Sequence, residues 1–100
     1  MTRVVQISDT HLGARKQHFE PNWAPVATWL AAERPAIVIH TGDVTLDGAG
    51  EEADMRHSAA RLAILPAPVR AVPGNHDVGE AGHPHQPVNQ ERLERWRRHF

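Results

Sequence analysis

The sequence predicts an α/β fold with a parallel β-sheet and elements in the order βαβαβα. Three short apolar segments, 3–8, 36–40 and 69–72, have the length and the residue types of buried strands. Segments with helical spacing of apolar residues separate them, as the right-handed crossovers of a parallel sheet require. With 100 residues, the chain has room for one domain, residues 1–100.

The first helix is predicted by apolar residues that recur at helical spacing across 23–31. We expect it to follow a loop that runs to Pro21 and to end near Arg34, because Pro35 disfavours the helical conformation in the residue before it. The next segment, 36–40, is apolar throughout and is interpreted as the central strand. A continuous apolar run is typical of a strand that has helices on both faces of its sheet.

A second helix is predicted over about 51–65, where Ala, Leu and Arg are abundant and Pro66 closes the segment. The third strand, 69–72, follows and is stopped by a Pro-Gly pair. A loop that contains Pro and Gly then spans 78–87.

The last helix is predicted to begin near Val88 or Asn89 and to be amphipathic. Oppositely charged residues four positions apart stabilise helices, and two such pairs are expected on its polar face. The apolar face carries Leu93, Trp96 and Phe100, and the two pairs are Glu91 with Arg95 and Glu94 with Arg98.

Composition excludes several classes of protein and site. The net charge of −1 and the pI of about 6.7 provide no basic field that would attract nucleic acid or an anionic membrane. Without Cys, any metal must be bound through nitrogen and oxygen ligands. No apolar run approaches the ~18 residues of a membrane span, and the first strand begins too close to Met1 for a signal peptide. We therefore expect a soluble cytoplasmic protein.

A polar cluster follows each predicted strand. Asp9 and His11 come after the first, Asp43 after the second, and Asn75, His76 and Asp77 after the third. Ligands of open parallel sheets bind outside the carboxyl ends of the strands, so the three clusters are expected to converge on one site. Carboxylate, amide and imidazole groups together suit divalent Mn, Fe or Zn, and an Asp between two half-sites can bridge a metal pair. This combination indicates hydrolysis of a phosphate ester.

Each cluster also has a purely structural interpretation. Asp9 and His11 are two residues apart in chain predicted to be extended, so both side chains can hold one cation, although a turn and a surface histidine would produce the same pair. A lone Asp43 at the end of an apolar strand is costly unless it is hydrogen-bonded or metal-bound, and the alternative is a turn or helix-capping Asp. Asp77 can fix the tautomer of His76 by a hydrogen bond, or belong to an ordinary turn.

The segments 8–11, 41–43 and 73–77 resemble the first three signature blocks of the calcineurin-like metallophosphoesterase family. The resemblance implies a four-layer αββα sandwich around a dinuclear centre, with this chain as its N-terminal half. It also implies that Asp9 and His11 bind the first of two divalent metal ions, that Asp43 bridges both, and that Asn75 binds the second.

The same resemblance implies a catalytic role for His76, near the scissile phosphate, as a general acid or transition-state stabiliser that Asp77 orients. The implied reaction is in-line attack on phosphorus by a metal-bridging hydroxide. The stretch after Asp43 lacks the arginine of the protein Ser/Thr phosphatases, and Leu46 stands where the purple acid phosphatases have a tyrosine. The motifs are therefore more similar to those of the cyclic-nucleotide phosphodiesterase branch.

The family completes its metal site with histidines far downstream, so we expect this domain to be truncated on its C-terminal side, after Phe100. His83 and His85 are interpreted as a solvated loop pair, with a contact to the metals as the alternative. His40 is expected to make local hydrogen bonds at the end of its strand, and the alternative is that it touches the site.

Three hypotheses for function follow. The first is a phosphoesterase that hydrolyses a small phosphodiester or phosphomonoester. The second is a nuclease, because Asp9-Thr-His11-Leu-Gly also resembles the opening of the DNA-repair nucleases of this family, although the near-neutral charge argues against a nucleic-acid partner. The third is a catalytically incomplete half-domain that only binds metal or packs on a partner chain. The sequence leaves the oligomeric state open.

Overall fold

The computed structural model describes residues 2–100 and confirms the predicted α/β class. The order βαβαβα is confirmed with one addition, because the turn that follows the third strand is a one-turn helix. The elements are β1 (Val4–Ile7), α1 (Glu20–Glu33), β2 (Ile37–His40), α2 (Glu52–Ala63), β3 (Val69–Ala71), α3 (Asn75–Val78) and α4 (Gln90–His99).

The sheet is parallel, with strand order β1-β2-β3. Val5 lies opposite Val38, and Ile39 lies opposite Arg70. The expectation of helices on both faces is wrong: Val38 is fully buried in the core, whereas Ile39 on the opposite face is 38% exposed and Val4 is 59% exposed. Strands that follow one another in order, joined by right-handed crossovers, carry every crossover helix on the same face. Only alternate residues of the apolar strand β2 therefore point into the core.

The core lies between that covered face and the helices. Helix α1 begins at Glu20, earlier than predicted. Pro21 lies in its first turn, where a backbone N–H would have no partner within the helix, so the N–H that proline lacks is not missed. Its Trp23 and Leu30 are buried. The core is formed by Leu12, Trp23, Leu30, Val38, Val44, Met55, Leu62, Leu65, Val78 and Trp96.

Within residues 2–100, none of the helices combines the length and the apolar content that a membrane crossing requires.

Helix α4 is held against α2 by charged side chains. The Glu52 carboxylate accepts a hydrogen bond of 2.6 Å from His99 Nε2 and one of 3.2 Å from Arg98. The His99 hydrogen bond holds the pKa of Glu52 below its ordinary value. The predicted pair of Glu91 with Arg95 is present at 3.1 Å, but the predicted pair of Glu94 with Arg98 is wrong, since Arg98 reaches across to α2. Arg98 therefore pairs with Glu52 on α2 and not with Glu94 on its own helix.

Candidate metal centre

The loops that follow β1 and β2 continue the parallel pairing of the sheet. Asp9 N–H donates to the Gly42 carbonyl at 3.0 Å, and His11 N–H donates to the Asp43 carbonyl at 3.1 Å. Leu12 then forms an isolated bridge with Thr45. Backbone hydrogen bonds therefore hold the first two polar clusters side by side.

The three clusters meet at this end of the sheet. His11, Asp43 and His76 each offer a ligand atom, and these atoms all lie within 4.8 Å of one another. The ring centroids of His11 and His76 are 4.7 Å apart. Each of the three residues is half-buried, so solvent reaches the group.

Asp9 and Asn75 flank this group of three. The Asp9 carboxylate lies 3.5 Å from His11 Nε2, and its side chain is 63% exposed. Asn75 is the first residue of α3, directly before His76. All of the residues predicted to bind metal are thus at one end of the sheet, and Asp9 and Asn75 are exposed whereas His11 and Asp43 are half-buried.

Three of these residues have a left-handed backbone. The φ angles are 55° for Asp9, 45° for His11 and 55° for Asp43, so the expectation of extended chain at Asp9 and His11 is wrong. Such a conformation costs a non-glycine residue about 1–3 kcal/mol and persists only where the surrounding structure imposes it. Here the parallel backbone pairing of the two loops imposes it, and the strain coincides with the candidate ligands.

Gly74 allows the third cluster to approach Asp43. A Cβ atom at position 74 would lie 2.2 Å from Asp43 Oδ1 and 2.6 Å from Asp43 N. Because Gly74 has no Cβ, Asp43 Oδ1 is free to accept a hydrogen bond of 2.9 Å from His76 N–H. The Asp43 carboxylate is therefore positioned by the backbone of α3.

The donor atoms of the site fit a cation. His11 Nδ1 is buried and has no hydrogen-bond partner among the residues that the structure describes. A buried nitrogen of this kind is unfavourable unless something binds it. The His11 imidazole and the Asp43 carboxylate together offer the mixed nitrogen and oxygen set that Mn, Fe and Zn accept.

The partner of the His76 ring is not the predicted one. His76 Nδ1 lies 2.6 Å from the Leu46 carbonyl, which can only accept, so Nδ1 carries a proton. None of the side-chain hydrogen bonds within residues 2–100 joins Asp77 to this ring; the Asp77 carboxylate points into the protein. A backbone carbonyl therefore sets the tautomer that the sequence analysis assigned to Asp77.

Asp77 instead ties loop backbones together. Its side chain is fully buried and accepts hydrogen bonds from Val44 N–H at 3.1 Å, Thr45 N–H at 2.8 Å and Gly74 N–H at 2.9 Å. The Thr45 hydroxyl donates a fourth, at 2.8 Å. This carboxylate joins the loop that carries Asp43 to the turn that begins α3.

Asp77→Ala is expected to lower the free energy of unfolding by about 3 kcal/mol, because it strands several buried donors that cost about 1–3 kcal/mol each. Urea denaturation followed by circular dichroism measures this. Glu51→Ala is the control, since Glu51 is exposed and its side chain does not cap α2; it should change stability by less than about 0.5 kcal/mol. A similar small loss for both variants would contradict the role given to Asp77.

His40 makes the local hydrogen bonds that were expected of it. The ring is fully buried; Nδ1 accepts from Gly42 N–H at 3.1 Å, and Nε2 lies 2.9 Å from the Thr10 hydroxyl, which donates to the Val44 carbonyl. This arrangement requires neutral imidazole with its proton on Nε2. Burial accordingly lowers the pKa of His40, against the opposing effect of the Asp77, Asp9 and Asp43 carboxylates.

The stability of the protein should therefore decrease as the pH falls below 6.5, the ordinary pKa of histidine. Below pH 6.5, His40 is protonated in the unfolded chain but not yet in the native protein. The free energy of unfolding therefore falls by at most about 1.4 kcal/mol per pH unit until the pH reaches the lowered pKa of His40 in the native protein. Urea unfolding between pH 8 and pH 5 in EDTA measures the slope. His40→Asn should flatten it, whereas the exposed His18→Asn should not. Equal slopes in all three proteins would contradict the assignment.

Asp54 is a residue that the sequence analysis missed. It is 4% exposed, and its carboxylate accepts from Ala14 N–H at 2.8 Å and from Asp47 N–H at 3.0 Å. It thus joins the loop after His11 to the loop after Asp43. The burial of Asp54 could have been predicted from the sequence, because it lies four residues before Ser58 and eight before Leu62, on the buried stripe of α2.

His83 and His85 are both exposed, and neither belongs to the group formed by His11, Asp43 and His76.

The family model for calcineurin-like phosphoesterases matches residues 2–99. The 3',5'-cyclic adenosine monophosphate phosphodiesterase CpdA of Escherichia coli (strain K12) is 35% identical over 87 residues, which cover 79% of this chain and 31% of CpdA. The probable glycerophosphodiester phosphodiesterase GpdQ of Arcobacter nitrofigilis is 34% identical over 86 residues, which cover 77% of this chain and 30% of that protein. The chain thus spans about a third of the length of these curated relatives.

Proposed function

Because the chain belongs to the calcineurin-like phosphoesterase family, we propose that its three motif segments form part of the active site of a metal-dependent phosphodiesterase with a small substrate. The observation that carries the proposal is the meeting of His11, Asp43 and His76, whose ligand atoms lie within 4.8 Å of one another. Both relatives are named as phosphodiesterases, which favours a phosphodiester over a phosphomonoester.

Asp9, His11, Asp43 and Asn75 are the residues proposed to hold two divalent cations, with Asp43 shared between them. The unpaired His11 Nδ1 and the nearby Asp43 carboxylate support this assignment, and the donor set suits Mn, Fe or Zn. When bound, two such cations lower the pKa of water and neutralise negative charge on the phosphoryl oxygens.

His76 is the residue proposed to act on the substrate. Its Nδ1 is held by the Leu46 carbonyl, so Nε2 is the nitrogen left to face the substrate. In the imidazolium form, Nε2–H can donate to a phosphoryl oxygen or pass its proton to the departing alcohol. Asp77 supports this residue by joining the backbone of the loop after Asp43 to the turn that begins α3. Within residues 2–100, its hydrogen bonds do not include one to the ring.

The arginines of α4 favour a small substrate over nucleic acid. Arg92 Nε donates to the Ala49 carbonyl at 2.9 Å, and Arg95 pairs with Glu91 at 3.1 Å. These guanidinium groups bind acceptors of the chain itself. Nucleic-acid binding depends on a row of basic side chains that are free to contact phosphates.

Hydrolysis of bis-p-nitrophenyl phosphate by the 100-residue chain in Mn²⁺ tests the proposal. We expect release of p-nitrophenol that stops when EDTA removes the metal, and no cleavage of a short DNA duplex under the same conditions. Mn²⁺ binding without turnover would identify the chain as a metal-binding half-domain, and cleavage of the duplex would identify a nuclease. Cleavage of the duplex, or failure of the chain to bind Mn²⁺, would contradict the proposed function.

A further inference from the structure

The loop 79–87 forms a small polar cavity next to the candidate metal centre. The cavity has a volume of about 120 Å³ and is lined by Asn75, Glu80, His83 and Gln86. Asn75 lines this cavity and is also one of the residues proposed to hold the cations, so the cavity lies beside the proposed position of the phosphoester. All four lining residues are polar, and none is Lys or Arg.

The loop is held in one conformation by its own backbone. Glu80 N–H donates to the Gln86 carbonyl at 2.9 Å, and His83 N–H donates to the Glu80 carbonyl at 3.0 Å. Gly79 has a φ of 90°, and a Cβ atom there would lie 2.6 Å from the Pro87 carbonyl oxygen, so the two ends of the loop touch. Gly79 N–H also donates to the Asn75 carbonyl at 2.9 Å, which fixes the loop to α3. The cavity is therefore formed before any ligand arrives.

The protonation of His83 follows from its own loop. His83 Nδ1 accepts hydrogen bonds from His85 N–H at 3.1 Å and from Gln86 N–H at 2.9 Å. The neutral ring then carries its proton on Nε2, at the opposite edge. A metal on Nε2 would require a proton on Nδ1, where it would meet two N–H groups. His83 is thus suited to donate a hydrogen bond and unsuited to bind a cation.

The lining groups together select a class of ligand. Glu80 provides a carboxylate, Gln86 provides an amide, and His83 provides an N–H donor, while Asn75, proposed to hold a cation, borders the cavity. The only formal charge is the negative one of Glu80, which repels the phosphate itself. Donors and acceptors at close range suit neutral hydroxyl groups. We infer that this cavity is the subsite for a hydroxyl-bearing alcohol portion of the phosphoester. The inference rests on the proposed function, because the phosphate must be bound next to Asn75.

The experiment measures the binding of two phosphate monoesters to the Zn²⁺-loaded chain by isothermal titration calorimetry. sn-Glycerol 3-phosphate carries two free hydroxyl groups, and methyl phosphate carries none. We expect the wild-type chain to bind the glycerol ester about tenfold more tightly, the size of effect that one or two net hydrogen bonds produce. His83→Ala and Glu80→Gln should both bring this ratio close to one. His83→Ala should leave the affinity for methyl phosphate unchanged, whereas Glu80→Gln removes the charge that repels phosphate and should raise the affinity for methyl phosphate.

His85→Ala is the matched control, because His85 is an exposed histidine of the same loop that does not line the cavity. It should keep the tenfold preference. Equal affinity of the wild-type chain for both esters, or the same change in ratio for the His83 and His85 variants, would overturn the subsite. Failure of the chain to bind Zn²⁺, or of Zn²⁺ to promote binding of either ester, would contradict the proposed function and the subsite with it.

Discussion

Asp43→Ala is expected to abolish measurable Mn²⁺ binding. Asp43 is the only residue proposed to contact both cations, and its carboxylate lies within 4.8 Å of the ligand atoms of His11 and His76. Changes in residues that merely support a ligand already weaken metal binding by about 10–100-fold, so loss of the shared ligand should exceed ~100-fold. Calorimetric titration of the chain with Mn²⁺ measures the affinity and the number of ions bound.

Two further variants separate metal binding from folding. Asp43→Asn keeps the side-chain oxygen that accepts the His76 N–H, so it should remain folded by circular dichroism while binding Mn²⁺ weakly. Asp47→Ala removes a carboxylate from the same loop that pairs with Lys16 at 3.3 Å, and it should bind Mn²⁺ like the wild type. Retention of two Mn²⁺ ions by the Asp43→Ala variant would contradict the shared-ligand assignment.

His76→Ala is expected to leave Mn²⁺ binding intact and to slow hydrolysis of bis-p-nitrophenyl phosphate by ~10²–10⁴-fold, the usual contribution of a general acid or base. The physical reason is the position of the ring: the Leu46 carbonyl holds Nδ1, and Nε2 is left for the substrate. Initial rates at saturating Mn²⁺, together with a metal titration of the same variant, measure both quantities.

The metal titration decides between two roles for His76. Its ligand atom belongs to the same group as those of His11 and Asp43, so the geometry also accommodates it as a ligand. Loss of Mn²⁺ from the His76→Ala variant would show that the residue binds metal and would exclude the proposed action on the substrate. His85→Ala, on an exposed loop, should leave both the rate and the metal content unchanged.

The order of the elements and the end of the sheet that carries the site were predictable from local patterns. Segments such as 36–40 have strand length and apolar character, and Pro35 and Pro66 mark the ends of the helices before the next strands. Because parallel strands share one carboxyl end, the clusters at Asp9, Asp43 and Asn75 could be expected to meet. The one-turn helix α3 was not expected, since four residues are too few for a periodic pattern.

The hydrogen-bond partners inside the site were not predictable. Asp77 stands next to His76 in the sequence, yet its carboxylate binds backbone N–H groups of Val44 and Thr45, more than thirty residues away. Asp54 likewise binds Ala14, forty residues earlier. A side chain buried among loops satisfies whichever backbone groups the packing brings to it, and sequence proximity carries no information about them.

The sequence by itself determined the α/β class, the parallel sheet and the set of polar residues at one end of it, because the periods of apolar residues and the positions of proline and glycine are local properties of the chain. Only the tertiary structure decided that helices cover one face of the sheet, that Asp9, His11 and Asp43 adopt a left-handed backbone, and that the Leu46 carbonyl holds the His76 ring. Each of these depends on contacts between loops distant in the sequence, whose energies are settled when the strands pair and the helices pack.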